Sequence, residues 1–230
     1  MNLTELLGLE PTDFYEHDLN TDEFRHILET CDALWLHSGD LKAPHAELTS
    51  GDCSTGFVDT LRALTYPNLC EIMALQLVNK IPDMYNEPID WVVGSDHASA
   101  TLSFAVASLF NARHDFTEKG PNKTQIWKRF TIEPGEIVLQ VEELVTTTHT
   151  MEAVRDGIRK GNSHPVEFAP FVLTLVHRAD VYKFENTPII YVAHFDIQTW
   201  KQSECPLCAQ GSERVRPKSK ENWARLTGKT

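Results

Sequence analysis

The sequence predicts an α/β fold, a parallel sheet flanked by helices, and three observations carry that reading. The runs EIVLQVEELV (136–145), FVLTLVH (171–177) and PIIYVAHF (188–195) are almost continuously apolar, the pattern of strands buried on both faces. Helical segments at 97–110 and 150–160 alternate with such runs, and strand–helix–strand alternation implies crossovers and parallel pairing. The chain has 230 residues, 41% of them apolar, a length at which one domain buries about 70% of the surface its unfolded form exposes. In such folds ligands bind at the carboxyl ends of the strands.

In chain order, residues 1–45 read as interrupted helix. TDEFRHILETCDALWL (21–36) opens on a Thr–Asp cap and puts Phe24, Ile27, Leu28, Cys31 and Leu34 at helical spacing. AELTSGDCSTGFVDTLRALTYP (46–67) is rich in Gly, Ser and Thr without a helical stripe, so it reads as short strands joined by a loop. NLCEIMALQLVNKI (68–81) is an amphipathic helix, with Leu69, Ile72, Met73, Leu75, Leu77 and Val78 apolar. DWVVGS (90–95) is a short apolar run ending near a glycine, followed by the helix over 97–110. The polar stretch 114–132 separates this unit from the long strand 136–145. The tail after Gln202 is basic and polar, with Pro206 and Pro217, and reads as a loosely packed extension.

Composition narrows the function classes. Twenty-one Lys and Arg against 33 Asp and Glu give a net charge of −12, which argues against a nucleic-acid surface held by cations on phosphates. An anionic ligand must then be held locally, by backbone amides, a metal or a few placed cations. No apolar run approaches the length of about 18 residues that a membrane span needs. The acidic start MNLTELLGLEPTDFYEHD lacks the basic flank and apolar stretch of a signal peptide. Five cysteines without a framework read as reduced thiols of a cytoplasmic protein.

The segment richest in chemistry is VLQVEELVTTTHT (138–150). A buried strand ends in Glu142 and Glu143, then passes through Thr146, Thr147, Thr148, His149 and Thr150 into a helix. Free N–H groups and the dipole at a helix N-terminus favour a phosphate, and carboxylates suit ribose hydroxyls, so the parts together fit a sugar phosphate. A second reading makes the two acids solvated strand ends and the threonines helix caps. Cys205-Pro-Leu-Cys208 has the spacing of half a zinc knuckle. A closed site needs two further ligands, with His177 or His194 as candidates; otherwise the pair is a reduced one. Ser95-Asp96-His97 are consecutive and lack a nucleophile elbow, and neither a Walker loop nor Gly-x-Gly-x-x-Gly is present.

The 138–150 segment resembles the phosphoribosyl-diphosphate motif of the type I phosphoribosyltransferases: apolar residues, two acids, two apolar residues, then a Thr-rich loop. Other segments resemble the orotate branch of that family. HAELTSGDCSTGFVDT (45–60) is similar to its substrate segment, with Ser50, Gly51, Ser54 and Phe57 in place; DWVVGS is similar to the strand before its pyrophosphate loop. FTEKG (116–120) resembles the opening of its flexible loop, RFTIEPGE (129–136) its hairpin before the motif strand, and ECPLCAQGSERVRPK (204–218) a C-terminal signature.

The resemblance implies a parallel sheet with a small hood built from N- and C-terminal segments in a single domain: 1–66 hood and substrate segment, 67–200 core, 201–230 extension. It implies transfer of the phosphoribosyl group of phosphoribosyl diphosphate to a nucleobase such as orotate, with Mg²⁺, in a homodimer. Glu142 and Glu143 would hold the ribose hydroxyls and the metal, and Thr146, Thr147, Thr148, His149 and Thr150 the 5′-phosphate. Ser95, Asp96 and His97 would lie on the diphosphate, and Ser50 and Gly51 on the base. Lys119, Lys123 and Lys128 are the candidates for the catalytic cation over the leaving group.

The departures are specific. Glu143 stands where the family has Asp, Thr148 and His149 where its phosphate loop has Gly, and Ser95-Asp96-His97-Ala98-Ser99 in place of a Gly-rich loop. Glu152 occupies a helix position that holds an Arg in some orotate enzymes. Left-handed backbone at Thr148 or His149 would cost about 1–2 kcal/mol. Two alternatives to an orotate transferase therefore stand: a transferase for another base, and a member of the fold that binds a nucleotide or partner without turnover.

Overall fold

The computed structural model describes residues 1–228; the last two residues of the expected 201–230 extension lie outside them. The chain opens with helices α1 (Leu3–Leu7) and α2 (Thr21–Thr30). Short strands β1 (Leu34–Leu36), β2 (His45–Glu47), β3 (Cys53–Ser54) and β4 (Gly56–Val58) follow, then α3 (Leu61–Leu64) and α4 (Pro67–Asn79). The core continues through β5 (Trp91–Gly94), α5 (Ala98–Phe110), β6 (Arg113–Phe116), the small strands β7 (Glu118–Lys119) and β8 (Gln125–Ile126), and β9 (Ile137–Val145). Next come α6 (His149–Gly161), β10 (Glu167–His177), β11 (Lys183–Phe184) and β12 (Thr187–His194). The chain ends with β13 (Thr199–Trp200), α7 (Pro206–Ala209), β14 (Arg214–Val215) and α8 (Lys220–Thr227). No helix among the described residues is long and apolar enough to cross a membrane.

The main sheet runs β11-β12-β10-β9-β5-β6, parallel throughout except for the β11 edge. Alternation along β9 explains why helices cover both faces. Leu139 and Val141 pack with α4 and α5 in the largest core, whereas Val138 packs with Val154 and Ile158 of α6 on the opposite face. From β5 the chain moves outward to β6, then returns to the other side of β5 as β9. The sheet's switch point thus lies between β5 and β9, where a crevice opens at the strands' carboxyl ends.

A second sheet, β13-β3-β2-β14, is assembled from both ends of the sequence, with β1 and β4 paired beside it. The tail is not the loose extension its composition suggests. Val215, Trp223 and Leu226 are buried against Trp35 and Ala46, and the Trp35 indole N–H donates to the Leu226 carbonyl at 2.8 Å. A few large apolar side chains suffice to anchor a segment that is otherwise Lys- and Arg-rich.

Other local expectations are corrected. The cap of α2 is Asn20, whose side chain accepts from the N–H groups of Asp22 and Glu23 while Glu23 returns a bond to the Asn20 N–H, a capping box. The helix stops at Thr30 because Asp32 turns left-handed, φ 54°, and Leu34 begins a strand. The polar stretch 114–132 supplies β6 and the β7–β8 pair, and residues 129–136 form a turn at Pro134–Gly135 in place of a strand hairpin. Polar edge strands such as Arg113–Phe116 carry no continuous apolar signature.

Candidate active site

Two acids on one strand end meet one loop. Glu142 lies on the α6 face of β9 and is 2% exposed, so it is no solvated strand end. It accepts from Ser95 Oγ at 2.8 Å, Ser99 Oγ at 2.8 Å and Gln140 Nε2 at 3.2 Å. Glu143, one residue on and facing the other way, also reaches the Ser99 hydroxyl. Ser99 in turn accepts from the Glu143 N–H and from Ser95 Oγ. A single hydroxyl proton cannot satisfy two carboxylates. Burial, reinforced by the Glu143 charge, pushes the Glu142 carboxyl up to about 7. Burial also raises Glu143, and the Asp96 and Asp59 charges add to that rise.

The loop between β5 and α5 closes tightly over this pair. A Cβ on Gly94 would sit 2.7 Å from the Ser99 carbonyl oxygen and 2.9 Å from Ser103 Oγ, so only glycine fits where the strand passes under the helix. His97 takes φ 63° and ψ −114°, a conformation disfavoured for a residue with a side chain. Its imidazole lies 3.5 Å from the Asp96 carboxylate. Backbone strain sits here and not in the phosphate turn: Thr148 is right-handed, φ −79°, and His149 has no positive φ. The expected strain at those two positions is absent because the turn closes without left-handed residues.

The two long helices that begin at the crevice, α5 and α6, lack a side-chain cap, as does the single-turn α3 at Thr60. Elsewhere α1, α2 and α8 are capped by Asn2, Asn20 and Ser219, and α4 starts on Pro67 without a side-chain cap. The threonines therefore do not cap α6; the Thr148 hydroxyl donates to the Glu152 carboxylate at 2.7 Å. Each uncapped N-terminus presents unshared N–H groups and the positive end of the helix dipole to an anion.

The crevice encloses about 630 Å³, ample for a phosphorylated sugar and a base. Ser95, Asp96 and His97 line one wall, Glu143, His149 and Thr150 another, and Lys119 at the end of β7 and Lys123 in the β7–β8 loop complete the lining. That loop carries Asn122 and Lys123 at φ 54° and 63°. Asp59, Thr60 and Gln125 also line the crevice; sequence reasoning passed over them, although Asp59 and Thr60 end the 45–60 segment.

Several expected residues lie outside the lining. Glu142 is buried, and neither it nor Thr146, Thr147 or Thr148 is among the lining residues. Lys128 pairs with Glu118 at 2.7 Å. Ser50 and Gly51 form the β2–β3 turn of the second sheet, where Gly51 has φ 85° and its carbonyl accepts from Arg214 at 2.7 Å. His177 and His194 join each other through their Nδ1 atoms at 2.9 Å, with His177 Nε2 on the Val181 carbonyl. They supply no ligand to the Cys205–Cys208 pair, because β10 and β12 fix them in the main sheet.

The fold, a 2-1-3-4-5 parallel sheet flanked by helices, is similar to that of solved transferases. The orotate phosphoribosyltransferase of Mycobacterium tuberculosis H37Rv matches with TM-score 0.51 and 17% identity over 75% of this chain and 96% of that one. That of Aeropyrum pernix gives TM-score 0.51 and 14% identity over 74% and 93%. A Leishmania donovani UMP synthase gives 0.55 and 16% over 79% of this chain, which spans only 37% of that longer protein. The fold is that of the type I phosphoribosyltransferases. No protein-family model matches the chain. Among curated sequences, the orotate phosphoribosyltransferase of Caldanaerobacter subterraneus subsp. tengcongensis is 30% identical over 177 residues, 77% of this chain and 90% of that protein. Its counterpart from Caldicellulosiruptor bescii is 29% identical over the same shares. The chain belongs to the orotate phosphoribosyltransferase family.

Proposed function

We propose that this protein transfers the phosphoribosyl group of phosphoribosyl diphosphate to orotate, giving orotidine monophosphate and pyrophosphate. The observation that carries the reading is the pair of uncapped long-helix N-termini facing one crevice, with two lysines in its lining. Two phosphate positions on one sugar need two such anion sites. The start of α6, with His149 and Thr150, takes the 5′-phosphate. The start of α5, with Ser95 and the loop through Ser99, takes the diphosphate. Glu143 accepts from the ribose hydroxyls, while buried Glu142 accepts from Ser95 and Ser99 and so fixes the loop against the strand.

In the reaction the bond from the sugar's anomeric carbon to the diphosphate breaks, a ring nitrogen of orotate bonds to that carbon, and the proton that nitrogen carried passes to the departing diphosphate or to water. The state between resembles an oxocarbenium ion, so charge develops on the departing diphosphate. Lys119 and Lys123, which line the crevice, would neutralise it. The carboxylates of Glu143, Asp96 and Asp59 are hard oxygen donors suited to Mg²⁺. Among the described residues no three crevice carboxylates converge on one point, which suits an ion shared with substrate oxygens and water. When bound, Mg²⁺ would neutralise diphosphate charge, including its repulsion from Asp96. A homodimer is part of the same reading. Tyr15, Leu61, Phe104 and Leu109 are exposed around an apolar groove of about 580 Å³ beside the crevice, and Leu61 borders both. The absence of disulfides among the described residues suits a cytoplasmic setting.

The test is orotate consumption, followed by ultraviolet absorbance. Loss of signal that requires protein, phosphoribosyl diphosphate and Mg²⁺ together supports the transfer. Asp96, a carboxylate on the diphosphate loop, favours a second reading in which the site binds without turnover. A flat trace with calorimetric binding of phosphoribosyl diphosphate would select that reading or another base; a flat trace without binding would overturn both.

A further inference from the structure

A second cluster lies outside the crevice. His45 on β2, Cys53 on β3, and Cys205 and Cys208 flanking the start and interior of α7 bring one nitrogen and three sulfurs within 4.8 Å of one another. We propose that these four residues form a closed, tetrahedral zinc site that clamps the second sheet to the 201–215 segment.

The distances fit such an ion. With Zn–S of about 2.3 Å and Zn–N of about 2.0 Å, a tetrahedron places sulfurs about 3.8 Å apart and sulfur about 3.5 Å from nitrogen. Here Cys53 and Cys208 sulfurs are 3.6 Å apart, and His45 Nε2 lies 3.7 Å from Cys205 and 3.4 Å from Cys208. Three thiols and one imidazole are a soft, borderline set that selects zinc over magnesium or calcium. His45 and Cys53 are fully buried and Cys205 is 2% exposed, which suits a structural site closed to solvent.

The surrounding bonds fix the ligands for this task. Ser212 Oγ donates its proton to the Ala43 carbonyl at 2.6 Å. It must therefore accept from His45 Nδ1–H at 2.7 Å, which leaves the Nε2 lone pair facing the three sulfurs. A hydroxyl or carbonyl behind the imidazole is the common means of orienting a metal-bound histidine. The Cys208 backbone N–H points to Cys205 Sγ at 3.4 Å, a bond that stabilises a thiolate. A disulfide would satisfy only two of the three sulfurs, and a separation of 3.6 Å is far beyond the bond length of about 2.05 Å.

Zinc binding would release the three thiol protons and join residues 45–53, on either side of the Ser50–Gly51 turn, to residues 205–208. The site stands independently of the transferase reading. The test is metal analysis of the full chain, purified without chelator or histidine tag from zinc-supplemented cells. One zinc per chain is expected, lost in Cys205→Ser/Cys208→Ser and kept in His194→Ala. Cobalt substitution is expected to give the intense visible bands of a tetrahedral thiolate complex, a readout that needs no variant to fold. Substoichiometric metal, octahedral cobalt spectra, retention of zinc by the double variant, or a Cys53–Cys208 disulfide in unreduced peptide maps would each overturn the site.

Discussion

Replacing Glu142 by Gln should stabilise the unliganded protein, and by an amount that depends on pH. The carboxyl is fully buried, and its proton is held to about 7 against an ordinary value of 4.5. At about 1.4 kcal/mol per pH unit, the difference corresponds to about 3 kcal/mol. Because the folded value is the higher one, the native state binds more protons between the two values. Wild-type stability from this group is therefore complete below pH 4.5 and is lost as pH rises through 7. Gln mimics the protonated acid. Its oxygen accepts from Gln140 Nε2, and its amide donates to the Ser95 and Ser99 hydroxyls that now face Oε2. Urea unfolding at about pH 4 and about pH 8 checks this. The variant should match wild type at the lower pH and exceed it by up to about 3 kcal/mol at the higher. A difference that stays constant across the range, or a variant less stable at the higher pH, would refute the assignment of a buried, proton-holding Glu142.

Removing Glu185 should destabilise the protein by about 3–5 kcal/mol in thermal or denaturant unfolding, because it strands a buried charge. Arg155 is 3% exposed and bonds Glu185 at 2.7 Å, and the two guanidinium groups of Arg159 and Arg155 hold the Glu185 carboxyl down to about 2. Gly94→Ala should lower stability by about 1–3 kcal/mol through the clash with Ser99, and displacement of the diphosphate loop should cut kcat/KM about 100-fold in the orotate assay. Of the three lysines, Lys119→Ala or Lys123→Ala should reduce kcat by about 100-fold or more, while Lys128→Ala, already paired with Glu118, should change it less than about threefold. Trp223→Ala should cost about 3–5 kcal/mol, since that ring is buried in the second core and stacked under Arg62 at 4.7 Å. Calorimetric unfolding of that variant would show whether the tail is packed or loose.

The core was legible because its strands are buried on both faces. Runs such as 137–145 and 171–177 have no solvent side to interrupt them with polar residues, so their type and parallel pairing follow from composition. The acids and the turn into α6 were legible for a related reason: functional groups in this architecture must lie where a strand stops. Polar edges were not. Arg113–Phe116 pairs on one side only and reads as loop, and Leu34 continues the α2 stripe by coincidence of spacing until Asp32 breaks the helix. The cysteine cluster was half visible. Cys205 and Cys208 announce themselves by proximity, whereas His45 and Cys53 lie about the Gly51 turn, and only strand pairing reveals that the two halves meet. His97 shows the opposite case, since its backbone conformation is set by the loop's closure and leaves no trace in residue type.

The second sheet has a consequence for the order of assembly. Its inner strands come from residues 45–54 and its outer strands from residues 199–215, so that the Arg214–Gly51 contact spans 163 positions. At ribosomal rates of 5–20 residues per second, the early strands wait roughly 8–30 s for their partners. Meanwhile β2 and β3 expose unpaired edges, while the main sheet, whose neighbours are closer in sequence, has most of its strands available. The last part of this protein to form is thus the layer that carries the Ser50–Gly51 turn, and a chain arrested before residue 199 would lack both outer strands of the second sheet.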